Sequence, residues 1–182
     1  MPETRPADPI RVYLGVGSNL QPRRHVPAAL AGLDGIVAVD GVAPCWWSAP
    51  LGRPEQPRYL NTVFTGLTPL SPRDLRDRLR ELEARLGRRR SADRYASRTL
   101  DLDILLYGDR VIAQGALRIP DPDLRTRAFV ARPLAALAPE LRLPDTGERV
   151  ADLAAALPEG ELVPAPRITA ALQAALHGPI GP

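Results

Sequence analysis

From Arg98 to Leu106 the chain reads Arg-Thr-Leu-Asp-Leu-Asp-Ile-Leu-Leu, and its alternation of apolar and acidic residues predicts a strand. Successive side chains on a strand point to opposite faces. Leu100, Leu102, Ile104 and Leu106 therefore share one face, and Asp101 and Asp103 share the other. The two carboxylates stand roughly 7 Å apart at the backbone, within reach of one metal site. The plainer alternative is the solvated side of an amphipathic strand. Just upstream, Arg88, Arg89, Arg90, Arg94 and Arg98 place five guanidinium groups in eleven residues, against a single acid, Asp93. Crowded carboxylates on a half-buried strand repel, so positive charge is expected between them. Oxygen ligands suit Mg²⁺ and forked arginine donors suit phosphate, so the pair of features points to a metal-bound polyphosphate.

The chain has 182 residues, enough for one domain with a proper core and short for two. All 24 basic residues are arginine. The absence of lysine excludes a P-loop lysine, a kinase-type strand lysine and Schiff-base chemistry. A net charge of +3 argues against a long nucleic-acid surface, although a local basic patch remains. The single cysteine, Cys45, excludes an internal disulfide framework and a cysteine-based zinc site. With aromatic residues at 4%, a planar ligand has few rings to stack on. No apolar run approaches ~20 residues, so no membrane span is expected. The polar, proline-rich start, Met1 to Pro9, does not read as a signal peptide, and the expected location is cytoplasmic.

Along the chain, Arg11 to Val16 reads as a first strand, ending in Gly15-Val16-Gly17-Ser18-Asn19. This turn lacks the full spacing of a dinucleotide fingerprint and reads as a tight strand-to-helix connection. A helix is predicted over 22–33, with Val26, Ala29, Leu30 and Leu33 inward and Pro27 near its start. Strands are predicted from Ile36 to Val42 and from Leu60 to Leu67. Between them, Ser48 to Pro57 carries three prolines and a glycine and forms a candidate functional loop. Ser71-Pro72-Arg73-Asp74 is a helix start, followed by Leu75, Leu79, Leu82 and Leu86 at helical spacing and a stop at Gly87. Glu83, three positions from Arg80, reads as a surface charge. A turn at Gly108-Asp109 leads to a short Arg110-Val111-Ile112 segment, and short helices follow over Phe129 to Leu137 and Val150 to Leu157. Pro164 and Pro166 read as a linker before a C-terminal helix marked by Ile168, Leu172 and Leu176. The order β, α, β, β, α, β predicts an α+β domain of ferredoxin-like arrangement, a largely antiparallel sheet in three α/β/α layers.

The run from Arg94 to Leu105 closely resembles the signature of the 6-hydroxymethyl-7,8-dihydropterin pyrophosphokinase family. Leu14 to Leu20, Ala49 through Asn61, and Ile119 through Phe129 resemble further segments of that family, in the same order. The resemblance covers about residues 10–167, leaving 168–182 as a helical tail. It implies transfer of the terminal pyrophosphoryl group of ATP to the pterin hydroxymethyl oxygen, with release of AMP, in folate biosynthesis. It implies two Mg²⁺ ions on Asp101 and Asp103, and catalytic roles for these residues with Arg88 and Arg98. Arg90, Arg94, Ile104, Asp121 and Arg127 fall on the nucleotide side. Ser48, Pro50, Leu51, Tyr59, Asn61, Tyr95 and Phe129 fall on the pterin side, with Tyr59 and Phe129 stacking and Asn61 reading the edge. No residue stands out as a general base.

Asp121 stands where the family usually has histidine, and Tyr95 where it usually has tryptophan. An acid beside phosphate is unfavourable unless it pairs with Arg118, Arg125 or Arg127 or faces a metal. The expected protein is a monomer that binds ATP and the reduced hydroxymethylpterin, without nucleic acid or membrane. Two alternatives stand beside it: a weakened homologue that binds without efficient turnover, and a ferredoxin-like RNA-binding module.

Overall fold

Strand β1 (Ile10–Ser18) runs through the middle of the molecule and buries Val12, Leu14 and Val16 on one face. The computed structural model to which it belongs describes residues 8–89, 91–93 and 95–178; Arg90 and Arg94 lie outside the described residues. A tight turn then opens α1 (Pro22–Gly32), with Gln21 in the left-handed region at φ 49° and proline at the first helical position. Val26, Ala29 and Leu33 are fully buried, and Leu30 packs against them. Pro27 lies inside this helix without ending it.

The chain returns through β2 (Ala38–Val42), β3 (Trp46–Ser48) and β4 (Tyr59–Thr68). The predicted strand from Ile36 starts two residues late. Ile36 and Val37 are buried, but their N–H groups bond back to Leu33 O, each at 2.9 Å, and so close the helix instead. Ser71 caps α2 (Pro72–Arg85) by accepting the Asp74 N–H at 3.2 Å, as its sequence predicts. β5 (Asp101–Tyr107), a hairpin of β6 (Ile112–Gln114) and β7 (Leu117–Ile119), and a 3-10 turn at Pro122–Arg125 follow. The segment expected at Arg110–Ile112 is thus the entry to a hairpin, with Val111 exposed outside it. The chain ends with α3 (Ala128–Leu137), α4 (Val150–Ala156), β8 (Val163–Pro164) and α5 (Pro166–His177). Pro164 is no linker residue: it pairs with Trp46, and Pro166 is the first residue of α5.

Every ladder of the main sheet is antiparallel, in the order β5-β1-β4-β3-β8, with β2 also against β4. One face carries α1, α2 and α5 over a core that includes Leu14, Phe64, Leu79, Leu102 and Leu172. The other carries α3 and α4 over a smaller core of Val63, Leu105, Leu106, Leu134 and Val150. The three-layer α+β expectation therefore holds.

The face assignment along β5 needs one correction. Leu106 belongs to the second core with Leu105, and Tyr107 takes its place in the first. The register slips where Tyr13 pairs with Leu106 but Leu14 with Ile104, so Leu105 is an extra, bulged residue. A bulge puts two successive side chains on one side and frees a ladder group. Here the freed Leu105 carbonyl accepts the Asp121 N–H at 2.9 Å.

Candidate active site

Three strands lie side by side at the end of the sheet that α3 and α4 leave uncovered. Gly17 of β1 is in register with Asn61 of β4 on one side and Asp101 of β5 on the other. One pair further in, Gly15 lies between Val63 and Asp103. Asn61, Asp101 and Asp103 therefore project from one face, with glycine between them. A Cβ on Gly17 would stand 3.5 Å from Asn61 Oδ1 and 3.9 Å from Asp101 Cβ, so glycine keeps the floor of a cleft open. Ser48, Leu51, Tyr59, Asn61, Tyr95, Arg98, Asp101, Asp103, Asp121, Arg127 and Phe129 line that cleft together.

At the β4 end, Asn61 Nδ2 donates to Ser48 Oγ at 2.8 Å in a buried contact. Its carbonyl oxygen is left facing the space over Gly17. Burial pushes the neighbouring Tyr59 phenol up, while Arg98 works the other way. Leu51 and Tyr95 are 43% and 41% exposed at the rim. Their two loops touch: Arg53 pairs with Asp93 at 2.7 Å, and Gln56 donates to the Tyr95 carbonyl at 2.9 Å.

At the β5 end, Arg88 and Arg98 each hold one oxygen of Asp101. The Asp103 carboxyl is pushed up to about 8, first by loss of solvent and then by the fields of Asp101, Asp121 and Glu83, against which Arg88 acts. Asp103 keeps an exposed surface, so crowding by like charge is the cause that matters most. Asp121 is pushed up to about 6 by desolvation, with Asp123 and Asp101 adding to the rise. It caps the 3-10 turn by accepting the Asp123 N–H at 2.8 Å.

None of the arginines considered for Asp121 pairs with it among the described residues. Arg125 goes to Asp145 at 2.8 Å, Arg127 approaches Asp123 at 3.8 Å, and Arg118 stays exposed. Among the described residues, no group of three or more His, Cys, Asp or Glu could hold an ion by itself. Asp101 and Asp103, on one face of β5, fit Mg²⁺ shared with phosphate, since this ion commonly takes one or two carboxylates together with substrate oxygens.

Some predicted site residues stand elsewhere. The Ile104 side chain is 6% exposed in the larger core, away from the cleft. Pro50 does not line the cleft, and Arg88 lies behind Asp101. Two residues of the site neighbourhood were not anticipated. Glu83 is 2% exposed, not a surface charge: it accepts the Leu102 N–H at 2.8 Å and pairs with Arg88. Asn19, also 2% exposed, bonds to Ser97 Oγ at 3.1 Å and the Pro57 carbonyl at 3.3 Å, and accepts the Arg98 N–H at 2.8 Å. It thereby ties both rim loops to the end of β1. Its place at the end of the glycine-bearing turn, within the Leu14 to Leu20 segment, was the sequence signal for it.

Residues 13–139 match the family model described as 7,8-dihydro-6-hydroxymethylpterin-pyrophosphokinase (HPPK). A 2-amino-4-hydroxy-6-hydroxymethyldihydropteridine pyrophosphokinase of Pseudomonas aeruginosa is 44% identical over 151 residues, 81% of this chain and 92% of that protein. The chain belongs to the HPPK family. The Haemophilus influenzae protein of the same name is 41% identical and covers 75% of this chain and 87% of its own length. Among solved structures, wild-type HPPK-DHPS of Plasmodium falciparum with pterin and p-hydroxybenzoate superposes at a TM-score of 0.68 and 10% identity. That superposition covers 84% of this chain and 42% of the other, so this HPPK-family chain spans less than half of that protein. The likeness is one of fold.

Proposed function

We propose that the protein transfers the pyrophosphoryl group of ATP to the hydroxymethyl oxygen of 6-hydroxymethyl-7,8-dihydropterin, releasing AMP, in folate biosynthesis. The observation that carries this reading is the row Asn61–Gly17–Asp101, in a chain of this family. It brings a planar-ligand edge reader and a phosphate-side carboxylate to opposite sides of one open floor.

Tyr59 and Phe129 stack the pterin, and the Asn61 carbonyl accepts from its amino-pyrimidine edge. Backbone groups around Ser48 and Leu51 complete that edge. Asp101 and Asp103 would hold two Mg²⁺ ions, which would supply charge neutralisation to the polyphosphate. Arg88 and Arg98, beside Asp101, offer forked donors to the phosphate oxygens. Arg127 approaches from the start of α3, and Arg90 and Arg94 belong to the same basic loop. Positioning and electrostatics supply most of the catalysis in phosphoryl transfer, so a lysine-free site suffices. The hydroxyl proton leaves late, without a dedicated base. The described residues that line the cleft all come from one chain, which fits a monomer, and we place it in the cytoplasm as part of the same proposal.

A second reading, a weakened homologue, draws on Asp121, whose carboxyl faces the other acids with no arginine partner among the described residues. ATP labelled at its β-phosphorus separates the cases. Label moving to the pterin beside unlabelled AMP supports transfer of two phosphates. Label retained in ADP overturns it, and binding without either product favours the weakened homologue.

A further inference from the structure

Glu83 sits in the last turn of α2, 2% exposed. Burial strips its hydration, and the carbonyl end of a helix repels a negative charge. Helix propensity and apolar patterning do not explain an acid there. What compensates it converges from outside the helix. Its Oε1 accepts the Leu102 backbone N–H at 2.8 Å and receives the Arg88 guanidinium. Its own carbonyl accepts the Arg88 N–H at 3.0 Å, while the Gly87 N–H returns to Ala84 O at 3.0 Å. These two bonds are the Schellman closure of α2, and Gly87 at φ +86° makes the reversal. One residue therefore grips Arg88 by both backbone and side chain, and the guanidinium spans from Glu83 to Asp101.

We infer that Glu83 is a positioning residue for pyrophosphoryl transfer: it fixes the Arg88 guanidinium beside Asp101, ready for the polyphosphate. The inference rests on the pyrophosphokinase reading. Through the Leu102 N–H, the same carboxylate also anchors β5 between Asp101 and Asp103. Helix α2 and the carboxylate-bearing strand thus share one fixed point. Losing the negative charge releases one of the two carboxylates between which the Arg88 guanidinium is held, so it no longer keeps one fixed orientation for phosphate.

Glu83→Gln keeps an acceptor for Leu102 and removes the charge that orients Arg88. The expected result is a kcat lowered ~10-fold or more, with the pterin KM within about two-fold of wild type. The double variant with Arg88→Ala should be no slower than Arg88→Ala alone, because both changes remove one interaction. In NMR, the Arg88 Nε–H resonance should be sharp in wild type and broadened in Glu83→Gln. Additive losses, an unchanged kcat, or an Arg88 resonance already averaged with solvent in wild type would each overturn the inference. A wild-type protein that forms no AMP would instead overturn the pyrophosphokinase reading, and the Arg88 resonance alone would then decide whether Glu83 holds it.

Discussion

Asp103 shows at the scale of one residue how a site is built against stability. Its carboxyl is raised from 3.8 to about 8. For a raised pKa, the neutral form stabilises the fold; that contribution is full below the unfolded value and is lost as pH rises through the folded one. The metal-free protein should therefore lose stability between about pH 4 and pH 8 on this group's account. Asp103→Asn should raise the melting temperature at pH 8 and change it little at pH 4, while turnover collapses. Solvent screening at this water-facing carboxylate holds the gain to ~1 kcal/mol, or ~2–4 °C. A variant that melts at or below the wild-type temperature at pH 8 would contradict the crowding of acids. Asp121 carries a milder version. Asp121→Asn keeps the cap on the 3-10 turn and removes one negative charge from the cleft, so MgATP should bind tighter by ~1 kcal/mol. The advantage should fade as pH falls through about 6, where the wild-type acid becomes neutral. Titration calorimetry at two pH values measures both, and weaker binding by Asp121→Asn at pH 8 would make the acid a working part of the site. Asp101 and Asp103 were legible because a two-residue period has one geometric meaning. Glu83 was not: four residues after Leu79 it falls at the edge of the leucine stripe, where an acid reads as a surface charge until its partners are seen.

Elements were legible where the period was long enough to read. The leucines of α2 and its serine cap fixed that helix, and the alternation of β1 and β4 fixed the centre of the sheet. The three residues of β3 and the two of β8 are too short for a period, and prolines disguise β8 as a linker. The bulge at Leu105 left no signal, because Leu105 and Leu106 are equally apolar. The rim loops carry their own prediction. Among the described residues, Asn19, the Arg53–Asp93 pair and Gln56 tie these loops to each other and to β1, and like charges have no reason to converge without a ligand. Hydrogen exchange in the segment between α2 and β5 should slow when a nucleotide analogue and pterin are both bound. Equal exchange in free and ternary states would count against closure.

The whole molecule sets the site by dividing its two faces unequally. Helices α1, α2 and α5 pack over the larger core on one face, whereas α3 and α4 leave the sheet end at Gly17, Asn61 and Asp101 open to the cleft. We propose a pyrophosphokinase domain over 10–167 with 168–182 as a helical tail, and that tail reaches into the larger core. Leu172 is 1% exposed, Thr169 Oγ1 accepts the Cys45 N–H at 2.8 Å, and Gln173 donates to the Val42 carbonyl at 3.2 Å. Leu172→Ala should cost ~2–5 kcal/mol in denaturant unfolding, and a loss below ~1 kcal/mol would show that α5 is dispensable to the core. The most direct test of the central claim sets wild type beside Asp101→Ala, with ATP, Mg²⁺ and reduced hydroxymethylpterin, and measures nucleotide products by chromatography. Wild type should form one AMP per pterin consumed and no ADP, and Asp101→Ala should melt like wild type yet turn over orders of magnitude more slowly. ADP from the wild type, or near-normal AMP from the variant, would contradict it.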